Sequence, residues 1–502
     1  MLATAISASV VGVDGIPVRV EVDVSFGLPG LTIVGLAGSA VLEARERVRA
    51  AIRNAGFEVP SRRITVNLAP ADLPKEGTGH DLAMAVAILV ASEQLDGGRL
   101  ADTALIGELA LDGGLRPVPG ILALVAAARL AGARAVVVPA DSADEAATVT
   151  GATVHAARGL RAVVRHLAGR ERLPRATSRG GGGETMDDPR TDAPDLGGVI
   201  GQVVARRVLE IAVAGRHNLA LSGPPGVGKT LLARAAGGLL PALEPGEAEE
   251  VRRIHSVAGL GPPPASSLRR PVRAPHHTIS TQALIGGGPR VRPGEASLAH
   301  RGLLLLDETL QFRTDALDAL RGPLDSGCVT IARVEGVRAL PARFMLVTAF
   351  NPCPCGWYGV DGHACECEDG ARRRYQARLS GPMRDRIDLH VPLAPVVSSG
   401  RRPREASAEV ARRVAAAWEL QRRRQGRANA ELDVDRLDAR HGFPPRLLDT
   451  LEERGRQLGL SLRRLHRAAR VARTIADLEG IATVTRDHLD EALAHRPKEM
   501  AA

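Results

Sequence analysis

Gly223-Pro224-Pro225-Gly226-Val227-Gly228-Lys229-Thr230 is the stretch on which the fold turns. It fits G-x-x-x-x-G-K-[ST], the phosphate-binding loop (P-loop) of nucleoside triphosphatases. Its glycines let backbone N–H groups close on phosphate oxygens. Lys229 supplies a point charge for the β- and γ-phosphates, and Thr230 a hydroxyl ligand for Mg²⁺. Leu231 to Ala236 reads as a helix, whose N-terminus favours anions. Asn218 to Ser222 reads as a short buried strand. Strand, glycine loop and helix fall in the order that an α/β nucleotide fold requires, with ATP and Mg²⁺ as the expected cofactors.

Reading outward, Leu303-Leu304-Leu305-Leu306-Asp307-Glu308 is a central parallel strand ending in two carboxylates. Asp307 is expected beside the Mg²⁺, and Glu308 is expected to orient the attacking water. Phe344 to Ala349 is a further apolar strand, and Asn351 follows its tip. A polar amide there can hydrogen-bond the γ-phosphate or the water, and it resembles the sensor 1 residue of AAA+ ATPases. Gly381 to Leu389 resembles the segment that carries the arginine finger of AAA+ rings. Arg386 is the expected finger, with Arg384 as competitor, and Arg463 resembles sensor 2.

Cys353, Cys355, Cys365 and Cys367 form C-x-C, nine residues, then C-x-C, and take four of the five cysteines. Four thiolates suit a tetrahedral structural Zn²⁺, although the one-residue spacing is tighter than C-x₂-C. Free thiols or a redox pair are the alternative, and disulfides are not expected in a reducing compartment. His363 is a secondary candidate ligand, and Cys328 reads as a buried lone thiol. Arg273 to Ser280 and the glycines 286–288 read as an ordered loop facing phosphate or DNA.

With 502 residues, 44% of them hydrophobic, the chain is long enough for several cored domains. Lys and Arg exceed Asp and Glu by 66 to 57, a net charge of +9, which is compatible with a polyanionic partner. Aromatic residues are only 2%, so contacts through Arg, Lys and N–H groups to the backbone are expected rather than base stacking. The N-terminus lacks a secretory pattern, and Leu82 to Ala91 is too short to span a bilayer. A cytoplasmic protein without a membrane partner is expected. Residues 1–167 alternate strands and helices. Residues 168–192, with four consecutive glycines, read as a flexible linker. Residues 193–395 hold the P-loop core with its four-cysteine insertion, and 396–502 form a helical lid.

The chain resembles the bacterial Mg-chelatase-like AAA+ family, in its ComM/YifB branch. The resemblance rests on GPPGVGKT, RAPHHTIS, LAHRGLLLLDE, NPCPCGWYG, the C-x-C pair, LSGPMRDRIDLHV and VARTIADLEG, in that order. Gly27 to Gly30, Leu68 to Gly77 and Asp81-Leu82 extend it through the N-terminal third. It implies a Lon-protease-like (ribosomal S5-type) N-terminal domain, a three-layer α/β/α AAA+ core and an α-helical lid. It also implies a homo-oligomeric ring, a hexamer, acting on branched or single-stranded DNA as a helicase that drives branch migration. A chelatase-type ATPase that remodels a protein partner, and more remotely a protease-related ATPase, are the alternatives. Two departures from the family pattern stand out. Thr309-Leu310-Gln311-Phe312 follows Glu308 where Leu-Pro-Glu-Phe is usual. Gly79 occupies the position of the Lon nucleophilic serine, so no peptidase activity is expected.

Overall fold

The computed structural model describes residues 1–36, 38–73, 75, 77–177, 193–261, 263, 267–288, 291–333, 336–395, 405–433, 437–457 and 461–496. The N-terminal part is built on a seven-stranded sheet. Its strand order is Gly30–Val34, Arg63–Ala69, Asp14–Ser25, Leu2–Val11, Thr103–Leu105, Ala135–Pro139 and Thr153–Ala157. The period-two pattern around Val18 to Val24 does what it predicts: Val18, Val20, Val22 and Val24 all point into the core. Helix Ser39–Asn54 ends on Gly56, whose φ of +85° closes the turn that the sequence signals. The apolar helix Asp81–Ala91 is buried almost all round.

The expected linker begins later than residue 168. The Ala156 N–H donates to the Pro174 carbonyl at 3.0 Å and the Ala176 N–H to that of Val154 at 2.9 Å. The chain up to 176 therefore lines the exposed edge of strand Thr153–Ala157. Its polar composition hides this, because backbone pairing at an edge needs no apolar side chains. The remainder of that stretch, 178–192, lies outside the described residues.

The second sheet is parallel, in the order Val272–Arg273, Leu303–Leu306, Met345–Phe350, Leu219–Ser222, Leu389–Pro392. Both of its faces are covered, and alternate residues of one strand serve different cores. Leu303 and Leu305 pack with helices Val203–Gly215 and Lys229–Leu239. Leu304 and Leu306 pack with Leu298, Phe312, Leu317 and Met383 on the other side. This produces the expected three layers, and it explains why the strand reads as an unbroken leucine run. Helices Ser407–Gln425, Pro445–Gln457, Leu462–Leu478 and Arg486–Ala494 form the C-terminal helical part, and Val414, Ala469 and Ile475 join the first of those cores.

The two sheets are not independent. The Gly120 N–H donates to the Ser256 carbonyl at 2.9 Å, Arg253 pairs with Asp14 at 2.8 Å, and Arg252 donates to the Thr148 hydroxyl at 2.6 Å. Val13 is buried among the side chains of the nucleotide core. No helix of the described residues is long and apolar enough to cross a membrane.

Candidate nucleotide site

In a parallel sheet, ligands gather at the carboxyl edges of the strands. The chain arranges its predicted site there. Ser222 pairs with Phe350, and Leu306 with Thr348, so Gly223, Asp307 and Asn351 all emerge from one edge. Gly226 and Gly228 take φ of +80° and +90°, and a Cβ at either would meet nothing within 4 Å. That leaves an open cradle of the kind that backbone N–H groups line around phosphate. Gly223 is needed for a different reason: a Cβ there would fall 2.5 Å from the Leu393 carbonyl oxygen. Lys229 is buried, and its Nζ donates to the carbonyls of Gly223 at 2.7 Å and Pro224 at 2.6 Å. Burial lowers its pKa below the usual lysine value, against the opposing charge of Asp307. The Thr230 hydroxyl donates to Asp307 Oδ2 at 2.9 Å, so the two expected Mg²⁺ ligands lie side by side. Open cradle, buried lysine and paired hydroxyl and carboxylate suit ATP with Mg²⁺.

Glu308 follows with φ of +48°, a backbone setting that non-glycine residues adopt at a cost and mostly at functional sites. Its N–H donates to Asp307 Oδ1 at 2.9 Å, and its side chain stays exposed. The Glu308 carboxylate lies 3.6 Å from His277 Nδ1, a partner the sequence reading did not assign. His277 lies against His276 with the rings tilted and their centroids 4.1 Å apart, and it meets Phe312 edge-on. The loop expected to face phosphate or DNA thus reaches the acidic pair. The unusual Thr309 has a role as well. It is fully buried, and its hydroxyl donates to the Leu306 carbonyl at 2.7 Å and reaches that of Ala349 at 3.3 Å. It ties together the tips of the strands that carry Asp307 and Asn351.

Arg386 and Arg463 are not brought to this edge. Asn218 precedes the P-loop strand, and its side-chain amide donates to the Arg386 carbonyl at 2.8 Å. Asn218 to Gly223 spans on the order of 15 Å at about 3.3 Å per residue, so Arg386 sits at the far end of the strand. Its guanidinium is buried against Asp325 and donates to the Pro382 carbonyl at 2.7 Å. Arg384, its competitor, is exposed. Arg463 is exposed as well and lines a cleft of about 620 Å³ at this far end, with Asn218, Asp325, Arg343, Arg467 and Arg470. One chain holds the P-loop at one edge of the sheet and the two candidate arginines at the other.

Residues 195–400 match the family described as Magnesium chelatase, subunit ChlI. Residues 20–142 match Subunit ChlI of Mg-chelatase, and 404–496 match its C-terminal region. YifB of Escherichia coli K12 is 45% identical over 489 residues, which is 97% of this chain and 95% of that protein. The competence protein ComM of Haemophilus influenzae is 42% identical over 505 residues, 99% and 97% of the two chains. The chain belongs to the Mg-chelatase-like AAA+ family, in its ComM/YifB branch. As a member it is an AAA+ ATPase using ATP and Mg²⁺. A Lon protease of Mycolicibacterium smegmatis is 29% identical over 139 residues, 26% of this chain and 17% of that protein. The N-terminal fold of this Mg-chelatase-like chain is Lon-protease-like.

In the Lon-like part the neighbourhood of Gly79 is buried and charged. Lys75 is fully buried, and its Nζ has no partner among the described residues. His80 lies 3.0 Å from the Ser7 hydroxyl, and burial, then the charge of Lys75, pull it down to about 4. Burial pushes Asp81 up to about 6, against its bond to Arg47 at 2.9 Å. A Cβ on Gly79 would meet only the Leu124 and Ile106 side chains, at 3.9 and 4.0 Å. Steric room exists at that position, but the hydroxyl does not. Glu76 lies outside the described residues.

The four cysteines of this AAA+ chain converge. Their sulfurs lie within 4.8 Å of one another, with Cys353–Cys355 at 3.3 Å, Cys355–Cys365 at 3.6 Å and Cys353–Cys365 at 3.7 Å. A disulfide needs a separation of about 2.05 Å. The N–H groups of Tyr358 and Cys355 donate to Cys353 Sγ and Cys367 Sγ. The Trp357 N–H leads the contacts that draw the Cys355 thiol down to about 6. His363 is outside the cluster and stacks on Trp357 at 4.0 Å. Cys328 is half-buried at the head of strand Cys328–Arg333, not in the core as expected, because strand alternation there leaves Val329 facing inward.

Proposed function

We propose that this AAA+ ATPase is a ring-forming motor acting on branched or single-stranded DNA, a helicase that promotes branch migration in recombination or transformation. The observation that carries the reading is the split of the site between the two ends of one sheet. The chain's own residues would bind and position: backbone of Gly223 to Thr230 and Lys229 on the phosphates, Thr230 and Asp307 on Mg²⁺, Glu308 and Asn351 on the attacking water. The missing cation near the transferring phosphoryl would come from Arg386 of a neighbouring subunit, with Arg463 beside it. That arrangement calls for a homo-oligomer, a hexamer in this reading. The net charge of +9 and the naming of the Haemophilus influenzae relative as a competence protein support DNA as the substrate. The cysteine cluster would hold a structural Zn²⁺.

The test is ATP hydrolysis by the purified chain with and without four-way or forked DNA, with Lys229→Ala as control. Stimulation of the wild type and strand displacement are expected, and both should vanish in Lys229→Ala. ATPase activity indifferent to DNA would sink the motor reading. It would leave the runner-up, a chelatase-type remodelling ATPase, which the match to a magnesium chelatase subunit favours.

A further inference from the structure

The cysteine cluster does not stand apart from the nucleotide site. Strand Met345–Phe350 ends, Asn351 follows, and the first cysteine comes two residues later. The Phe350 carbonyl accepts the N–H of Gly223, the first residue of the phosphate loop, at 3.3 Å. Gly356, inside the cluster loop, is buried with φ of +88°, and a Cβ there would fall 2.6 Å from Pro225 Cδ. The loop therefore touches the phosphate cradle at both ends of its first turn. Between Phe350 and Asp369 the chain forms neither helix nor strand. Few backbone hydrogen bonds order this stretch by themselves, among them Gly356 N–H to the Cys353 carbonyl at 3.0 Å. A tetrahedral zinc with Zn–S of about 2.3 Å sets sulfurs about 3.8 Å apart, close to the spacings found.

We propose that the Cys353, Cys355, Cys365 and Cys367 site is a positioning element of the nucleotide site: its metal holds Gly356 against Pro225 and so fixes the phosphate loop. Zinc occupancy then sets nucleotide affinity. Loss of the metal frees the cluster loop, removes the backing of Pro225 and lets Asn351 shift with it. The proposal rests on the zinc reading given above, and it can fail while that reading stands.

The test uses the full chain. Metal analysis of the purified protein should give about one zinc per chain, and none would overturn the zinc reading and this proposal with it. Zinc is next displaced with an organomercurial thiol reagent and a chelator. Affinity is read with a fluorescent ATP analogue, and folding by circular dichroism. Affinity should fall by about tenfold or more, equivalent to losing about 1.4 kcal/mol of phosphate-loop binding. It should return when the thiols are freed and zinc is added back. Unchanged affinity in a folded, zinc-free chain overturns the coupling and leaves the zinc site standing.

A second arm separates contact from metal. Gly356→Asn tolerates the positive φ yet places a Cβ against Pro225. It should keep its zinc and lose affinity to a similar degree, and adding Pro225→Ala should bring it to the level of Pro225→Ala alone. Wild-type affinity in zinc-loaded Gly356→Asn would overturn the proposal. Should the zinc-free chain lose its fold, this pair decides. Should Gly356→Asn fail to fold, zinc displacement decides.

Discussion

Glu308 and His277 are 31 positions apart in the chain, and only the folded structure joins them. The carboxylate is placed by a strained backbone and met by one ring nitrogen at 3.6 Å. If Glu308 orients water, Glu308→Gln should bind ATP like the wild type while its turnover falls by a factor of about 10²–10⁴. A binding assay beside a hydrolysis assay checks both halves. His277→Ala is expected to act differently. It sits on the loop expected to face the substrate, so basal hydrolysis should change by no more than a few-fold, while the ratio of rates with and without DNA collapses toward one. An unaltered ratio would reduce His277 to a packing residue.

At the scale of elements, the lid helices pack against the buried His217 and beside the half-buried His390, whose rings the fold holds neutral. The ring of His217 lies 2.7 Å from the Thr474 hydroxyl, and the backbone N–H of His390 donates to the His495 carbonyl. Burial is the leading cause that pulls His217 down to about 4 and His390 to about 3. Above about pH 6.5 folded and unfolded chains both keep these rings neutral. As pH falls from there to about 4, the unfolded chain takes up protons that the fold refuses, and stability drops by about 1.4 kcal/mol per pH unit per ring. The thermal midpoint should fall over that window, and His217→Gln should flatten the fall. Thr309→Val keeps the shape of the side chain and removes the donor that joins two strand tips, at a cost of about 1–3 kcal/mol in chemical denaturation.

These elements also show what the sequence made legible. The P-loop and the acidic pair could be read because each is local: an apolar strand followed at once by its polar tip. Thr309, the first of the residues that depart from the family pattern after Glu308, could be seen but not interpreted, since its hydroxyl also serves a carbonyl 40 residues away. The contacts of His277 and of Gly356 with Pro225 join loops whose approach depends on strand order, which no local pattern encodes. The edge position of residues 174–176 was hidden behind polar side chains, because backbone pairing has no compositional signature.

For the whole molecule, the separation of the P-loop from Arg386 makes a prediction about mixtures. Lys229→Ala chains and Arg386→Ala chains should each fail to hydrolyse ATP. Mixed, they should recover a measurable share, because some interfaces pair an intact loop with an intact arginine. Arg384→Ala, tested in the same way, distinguishes the exposed neighbour from the buried one. No recovery in any mixture would confine Arg386 to its tie with Asp325.

The bonds from Gly120, Asp14 and Thr148 to helix Pro245–Ala258 carry a last consequence. They make the peptide connection between the two sheets dispensable for holding them together. A site for a specific protease, engineered between residues 178 and 192, should yield two fragments that co-elute at neutral pH and part only in denaturant. Whatever moves the nucleotide core would then carry the Lon-like part along as cargo, not trail it on a tether.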